Sequence, residues 1–193
     1  MVDEARSVPY SRSVGILSIE LPPHAEQVER NLRRWAELMA DSEMTRFEGR
    51  IETDRHGHVL MTPPPAPKHG ALKSEIAYQL RLLSSEGRVI TECPVSTSDG
   101  VRAADVAWAS PARVAELGDA ICFQRAPDIC VEVLSPSNTD AEMREKRDLY
   151  FDAGAREVWL CGESGDMRFY LAGADAASTS ALFPTFPVRI EPR

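Results

Sequence analysis

The sequence predicts a mixed α/β or α+β fold, with a central β-sheet flanked by helices. Three observations carry this. Asp128–Leu134 and Glu157–Cys161 are short, strongly apolar runs of strand length. Residues 69–86 and 138–153 have the periodicity of amphipathic helices. The order along the chain is helix, strands, helix, strands, without an internal repeat.

Each element has its own signal. Residues 1–22 lack periodicity and read as a loose arm. Val28, Leu32, Trp35, Leu38 and Met39 recur at helical spacing, which places a helix over 24–43. That helix has either the main body or a second subunit to pack against. Arg50–Thr53 and His58–Met61 flank a turn at Asp54–Gly57, the pattern of a hairpin. Pro63–Pro67 breaks regular structure. Leu72, Ile76, Leu80 and Leu83 line one stripe of the next helix, which Gly87 ends. Strands follow at Arg88–Cys93, Val95–Thr97 and Arg102–Ala109, and then a polar loop, Ser110–Arg125. After the Asp128–Leu134 strand, Thr139 and Glu142 form a capping-box pattern, and Gly154 stands where that helix must stop. Glu157–Cys161 pairs with Met167–Leu171 across a tight turn, and Val188–Ile190 forms a last short strand. We divide the chain into an arm and helix, residues 1–45, and a main domain, residues 46–193.

Composition bounds the rest. The 193 residues can bury a core without disulfides or a structural metal. The four cysteines, Cys93, Cys122, Cys130 and Cys161, form no C-x-x-C pair and read as buried thiols in a reducing cytoplasm. His56-Gly57-His58 reads as a hairpin tip rather than a metal site. The first residues lack the apolar stretch of a signal peptide, and no window is long and apolar enough to span a bilayer. With 22 Lys+Arg against 30 Asp+Glu, the formal charge is −8, which argues against a broad basic footprint for nucleic acid.

Four charged residues conflict with their local pattern. Glu132 lies inside Ile129-Cys130-Val131-Glu132-Val133-Leu134, where a carboxylate is costly unless paired or bound to metal. Asp105 lies among Ala103, Ala107 and Ala109, whose small side chains leave room for an ion and a substrate. At about 100° per residue, Lys146 falls in the arc of Met143, Tyr150 and Ala153, the inward stripe of the helix after the Glu132 strand. Glu75 borders the Leu72/Ile76/Leu80 stripe. Bland readings stand beside each: an edge or salt-bridged Glu132, a strand-end Asp105, a snorkelling Lys146 and a plain salt bridge at Glu75. Together, two acids able to hold Mg²⁺ and a lysine able to orient water or stabilise charge suit phosphodiester hydrolysis. No G-x-S-x-G, H-E-x-x-H, P-loop or G-x-G-x-x-G is present.

The chain resembles the Uma-type bacterial restriction-endonuclease-like family, a branch of the PD-(D/E)XK nuclease superfamily. The likeness runs from about Arg50 to Tyr170. Its carriers are Met61-Thr62-Pro63-Pro64-Pro65 with His69-Gly70, Ser74-Glu75-Ile76 with Gln79-Leu80, Arg102–Ala107, Ala126–Ser137 with its Val131-Glu132-Val133-Leu134-Ser135-Pro136-Ser137 run, Glu145–Tyr150 and Gly154–Leu160. The resemblance implies a restriction-endonuclease-like core. It implies that Asp105 and Glu132 are the acidic metal ligands and the carbonyl of Val133 a third. It makes Glu75 the helical glutamate of many members, and Lys146 the catalytic lysine moved onto the next helix. The chain departs from the superfamily pattern at Ala104, where a proline precedes the first acid, and at Leu134, where the lysine usually stands. Pro127-Asp128 mimics the motif's first half. Asp128, however, lies about 13 Å along the strand from Glu132 at ~3.3 Å per residue, too far to share its ion.

The function expected from this is a Mg²⁺- or Mn²⁺-dependent DNA endonuclease that binds DNA weakly alone and acts as a homodimer, with helix 24–43 as a candidate interface. A nuclease-like binding or assembly module without activity is the alternative. Hydrolysis of RNA or a nucleotide ranks lower, since no aromatic stacking platform is visible.

Overall fold

A computed structural model describes residues 24–174 and 176–191; the arm expected over 1–22 lies outside them. Among the described residues four α-helices, α1 His24–Ala40, α2 Pro67–Leu83, α3 Pro111–Leu117 and α4 Asp140–Asp152, flank a six-stranded mixed sheet. A separate two-stranded sheet pairs β1 Arg50–Thr53 with β2 Val59–Thr62. The large sheet holds β3 Arg88–Thr97, β4 Gly100–Ala109, β5 Ile129–Val133, β6 Glu157–Cys161, β7 Met167–Leu171 and β8 Ala176–Ala177, in that spatial order. Among the described strands β5 and β6 are the parallel pair, and α4 is the crossover that parallel pairing requires.

The central strands are buried on both faces. Leu72, Ile76 and Leu80 of α2 pack with Ile129, Val131, Val133, Trp159 and Phe169. On the other side Tyr150 of α4 and Ala153, its C-cap, pack with Cys130 and Val158. Helix α1 docks on the body of the same chain through Trp35 and Leu38, which join Val101 and Cys122. Its polar anchor is Asn31, whose amide donates to Ser96 Oγ and the carbonyls of Thr97 and Gly100. All four cysteines are free and buried.

Local signals explain most boundaries. Thr139 and Glu142 make the expected capping box, and Gly154 follows α4 at φ +95°. Gly100 turns β3 into β4 at φ +84°, and a Cβ there would stand 2.2 Å from the Thr53 carbonyl. That close approach seats the small β1–β2 sheet against β4.

Five expectations need correction. Helix α2 starts at Pro67, not after it, because a proline at the first helical position gives up only an N–H that has no helical partner. The same helix ends at Leu83 with Ser84 as its cap, and Gly87 instead turns the chain into β3. The expected loop after β4 contains α3, started by Pro111 and capped by the Ser110 hydroxyl on the Arg113 N–H. The two strands expected over 88–97 are one, with Glu92 at φ +50° in its middle. Val188–Ile190 contributes one isolated bridge, Asp166 with Arg189, while the outer strand comes from Ala176–Ala177.

Candidate active site

The site begins where two strands part. The β4–β5 ladder runs Trp108 with Ile129, Ala107 with Cys130 and Val106 with Val131. One residue further, the same register sets Asp105 against Glu132. There the backbone groups take side-chain partners instead. The Val133 N–H donates to Asp105 Oδ2 at 2.7 Å. The Ala103 N–H donates to Glu52 Oε1 at 2.8 Å, and its carbonyl accepts from Lys146 Nζ at 3.4 Å. Buried peptide groups require such partners, so the opening is stabilised by the charged residues that line it.

Four carboxylates and three cations meet at this fork. Lys146 Nζ lies 3.1 Å from both Glu132 oxygens and 3.1 Å from Glu52 Oε1. The Tyr150 hydroxyl donates to Glu132 Oε1 at 2.7 Å. Arg50, from β1, donates through Nη2 to Asp105, lies 3.7 Å from Glu132 Oε2 through Nη1, and donates through Nε to Glu92 Oε2 at 3.0 Å. Lys73 of α2 also pairs with Glu92. His69, in the first turn of α2, places Nε2 3.0 Å from the Val133 carbonyl and 3.4 Å from Asp105 Oδ2, while its buried Nδ1 has no protein partner.

Burial and charge set the protonation states. Glu132 is 3% exposed. Burial pushes its carboxyl up to about 7, with the nearby Asp105 adding to the rise against the pull of Lys146 and Arg50. Burial would also raise Asp105, but the His69 hydrogen bond, the Arg50 charge and the Val133 N–H outweigh it and hold Asp105 far below the usual carboxylate range. For Lys146, burial favours the neutral amine, yet Glu132 and Glu52 more than offset it and raise its pKa. Burial keeps the Tyr150 hydroxyl protonated, as a donor.

The fork is the floor of a cleft of about 1210 Å³. Its walls include the proline run Pro63–Pro65, the start of α2, the Ser135–Asn138 loop and the first turns of α4. The structure therefore brings Asp105, Glu132, Val133 and Lys146 to one place. Glu75 is not among the cleft residues; its carboxylate accepts from Gln79 along α2. Sequence reasoning assigned no role to Arg50, Glu52, His69 or Glu92. Arg50 and Glu52 were detectable as same-face partners two apart on a strand, and His69 belonged to a stretch already singled out.

A sequence-family profile described as "Putative restriction endonuclease" matches residues 36–175. The chain belongs to this family. Among solved structures, the restriction-endonuclease-family chain is similar to "a putative nuclease belonging to DUF820 from Anabaena variabilis". The TM-score is 0.61 at 19% identity, over 76% of this chain and 82% of that one. The fold expected from the sequence, a nuclease-like mixed sheet with flanking helices, is thus the one found. Among curated proteins, none matches. Among the described residues no helix is long and apolar enough to cross a membrane.

The donor chemistry of the fork fits the divalent cation that nucleases of this kind use. Asp105, Glu132 and the Val133 carbonyl offer hard oxygen donors. Among the described residues no three acidic, histidine or cysteine side chains group in metal-holding geometry. The two carboxylates already converge on a positive group, the Arg50 guanidinium.

Proposed function

We propose that this chain is an endonuclease that hydrolyses phosphodiester bonds in DNA, with Mg²⁺ or Mn²⁺ held by Asp105, Glu132 and the Val133 carbonyl. The observation that carries the reading is the meeting of two buried carboxylates, from adjacent strands, with an inward lysine on the floor of an open cleft. A bound divalent cation supplies Lewis-acid polarisation of the phosphate and activation of water.

The chain's own groups do the rest. Lys146 stays protonated, so its role is donation: it orients a water or stabilises charge on the phosphate rather than removing a proton. Tyr150 and Glu52 fix the Glu132 carboxylate and the Lys146 ammonium in place. His69 orients Asp105 and the Val133 carbonyl.

Arg50, Lys73, Arg102 and Lys146 in the cleft are each paired with acids of the same chain. With the charge of −8, this supports weak, salt-sensitive binding of DNA by one chain. A homodimer that cuts both strands fits such a site. Its interface would not use the apolar stripe of α1, which packs within the chain. The four free buried thiols suit a reducing cytoplasm.

Plasmid nicking with Mg²⁺ or Mn²⁺, by the native chain and by Asp105→Ala, Glu132→Ala and Lys146→Ala, tests the reading. Full activity in Glu132→Ala with an unchanged circular dichroism spectrum would sink it. One observation favours a second reading, a nuclease-like binding module without hydrolysis: Arg50 and Lys146 neutralise the carboxylate pair from within the chain. Calorimetric titration showing no divalent binding, with tight binding of a protein partner, would select it.

A further inference from the structure

Arg50 touches both carboxylates assigned to the metal, and it has somewhere else to go. Two buried carboxylates side by side need a compensating cation. Lys146 serves Glu132 but is shared with Glu52, so the group that bridges Asp105 and Glu132 is Arg50. A divalent ion on those oxygens would compete for the same lone pairs and repel the guanidinium.

The outer end of Arg50 is held differently. Its Nε donates to Glu92, which lines the cleft and is 44% exposed. Glu92 stands opposite Asp105 by the register of β3 and β4, at φ +50°. Such a backbone is costly for a residue other than glycine and persists where a side chain must be aimed. The guanidinium has five donors in a fixed fork, so it can keep Nε on Glu92 while its Nη atoms leave the carboxylates. Only the Arg50 side chain has to swing: the Glu52 and Thr53 contacts that seat its hairpin on β4 can stay in place. A substrate phosphate entering the cleft finds Lys73, Arg102 and Lys146 already paired, and Lys68 exposed on the wall; of the cleft's cations, Arg50 is the one that touches both carboxylates of the floor.

We propose that Arg50 is the resident counter-ion of the Asp105–Glu132 pair, that a divalent cation displaces it, and that Glu92 then retains it at the cleft floor as a phosphate-binding group. This rests on reading Asp105 and Glu132 as metal ligands. It makes Arg50 an opponent of metal binding and a supporter of DNA binding, two effects of opposite sign that a merely structural residue would not combine.

The experiment measures Mn²⁺ affinity by calorimetry, and binding of a short DNA duplex in Ca²⁺ by fluorescence anisotropy. It compares the native chain with Arg50→Met, Glu92→Gln and Asp105→Asn. Arg50→Met should bind Mn²⁺ about tenfold more tightly, the effect of removing one competing charge, and bind the Ca²⁺-loaded duplex about tenfold more weakly. Glu92→Gln, which keeps Arg50 but removes its second anchor, should weaken Mn²⁺ binding severalfold; it carries the test if Arg50→Met does not fold. Mn²⁺ binding that Asp105→Asn abolishes and both other variants leave unchanged overturns the role of Arg50 alone. No Mn²⁺ binding by the native chain or any variant overturns both this role and the metal-site reading.

Discussion

Lys146 Nζ lies 3.1 Å from both carboxylate oxygens of Glu132, a helix ammonium closing on the strand that precedes its helix. The same ammonium holds Glu52 and the Ala103 carbonyl, so it joins α4, β5, β1 and β4. Lys146→Met keeps the stem and removes the charge. It should lower nicking by about 10²–10³-fold, the usual effect of losing a donor to developing charge. It should also cost about 2–3 kcal/mol, less than a fully uncompensated buried pair, because Glu132 can take up a proton. Urea denaturation beside the plasmid assay checks both; a stable variant with full activity would remove Lys146 from the chemistry.

The pH dependence of the metal-free protein follows from the raised Glu132. Its folded carboxyl titrates near 7 against an ordinary 4.5. The folded state therefore binds the proton more tightly than the unfolded one, and stability is lost as pH rises from about 4.5 through 7. The size is on the order of 3 kcal/mol. The raised His69 acts in the same direction, losing stability as pH rises through its folded value. Asp105, held low, acts in the other direction: its contribution is present above the unfolded value of 3.8 and is lost as pH falls below it. Metal-free protein should be most stable at mildly acidic pH. Glu132→Gln should flatten the fall above pH 5, and melting temperatures across pH 4–9 will show whether it does. Mn²⁺ should restore stability at high pH, where Glu132 is ionised.

Tyr150→Phe removes one hydroxyl from a fully buried position and leaves the ring. Hydrogen bonds to charged groups contribute about 1.5–3 kcal/mol, so a loss of about 1–2 kcal/mol is expected with Glu132 partly protonated. The variant should also weaken Mn²⁺ binding, because Glu132 loses a donor that fixes its orientation. Chemical denaturation and a Mn²⁺ titration check these; no change in either would make the contact incidental.

Gly100→Ala tests how the small sheet is seated. The added Cβ would meet the Thr53 and Asp54 backbone at 2.2 and 2.5 Å, from a backbone at φ +84°. Both the clash and the strain oppose the substitution, and a loss of about 2–4 kcal/mol is expected. Because β1 carries Arg50 and Glu52, Mn²⁺ affinity should change as well. A thermal melt with and without Mn²⁺ reads both.

Much of the fold was legible because its signals were local. The β5 run, the α4 capping box and the α2 stripe each declare themselves within a few residues. The gathering of Asp105, Glu132 and Lys146 was legible as a conflict between charge and pattern. Helix α3 was not, since only seven residues long it shows too little periodicity, although Ser110-Pro111 was a readable start. One strand over 88–97 was hidden by Pro94, which reads as a break but is accommodated in the edge strand β3. Arg50, Glu52 and Glu92 were hidden for a different reason. They are charges on short or edge strands, where solvent exposure is the ordinary outcome; the packing of the hairpin on β4 turns Arg50 and Glu52 inward, and Glu92, still half exposed, joins them by pairing with Arg50. Glu75 shows the reverse: a glutamate beside an apolar stripe can satisfy itself along its own helix.

The parting of β4 and β5 ties the chemistry to the integrity of the sheet. Asp105, Glu52 and Lys146 stand in for a missing stretch of strand pairing by taking the peptide groups of Val133 and Ala103. A lineage that ceased to use this site could not let these residues drift freely, because each loss would strand a buried peptide group. Erosion of the site would have to be matched by repair of the ladder, and a descendant free of the first would carry the mark of the second.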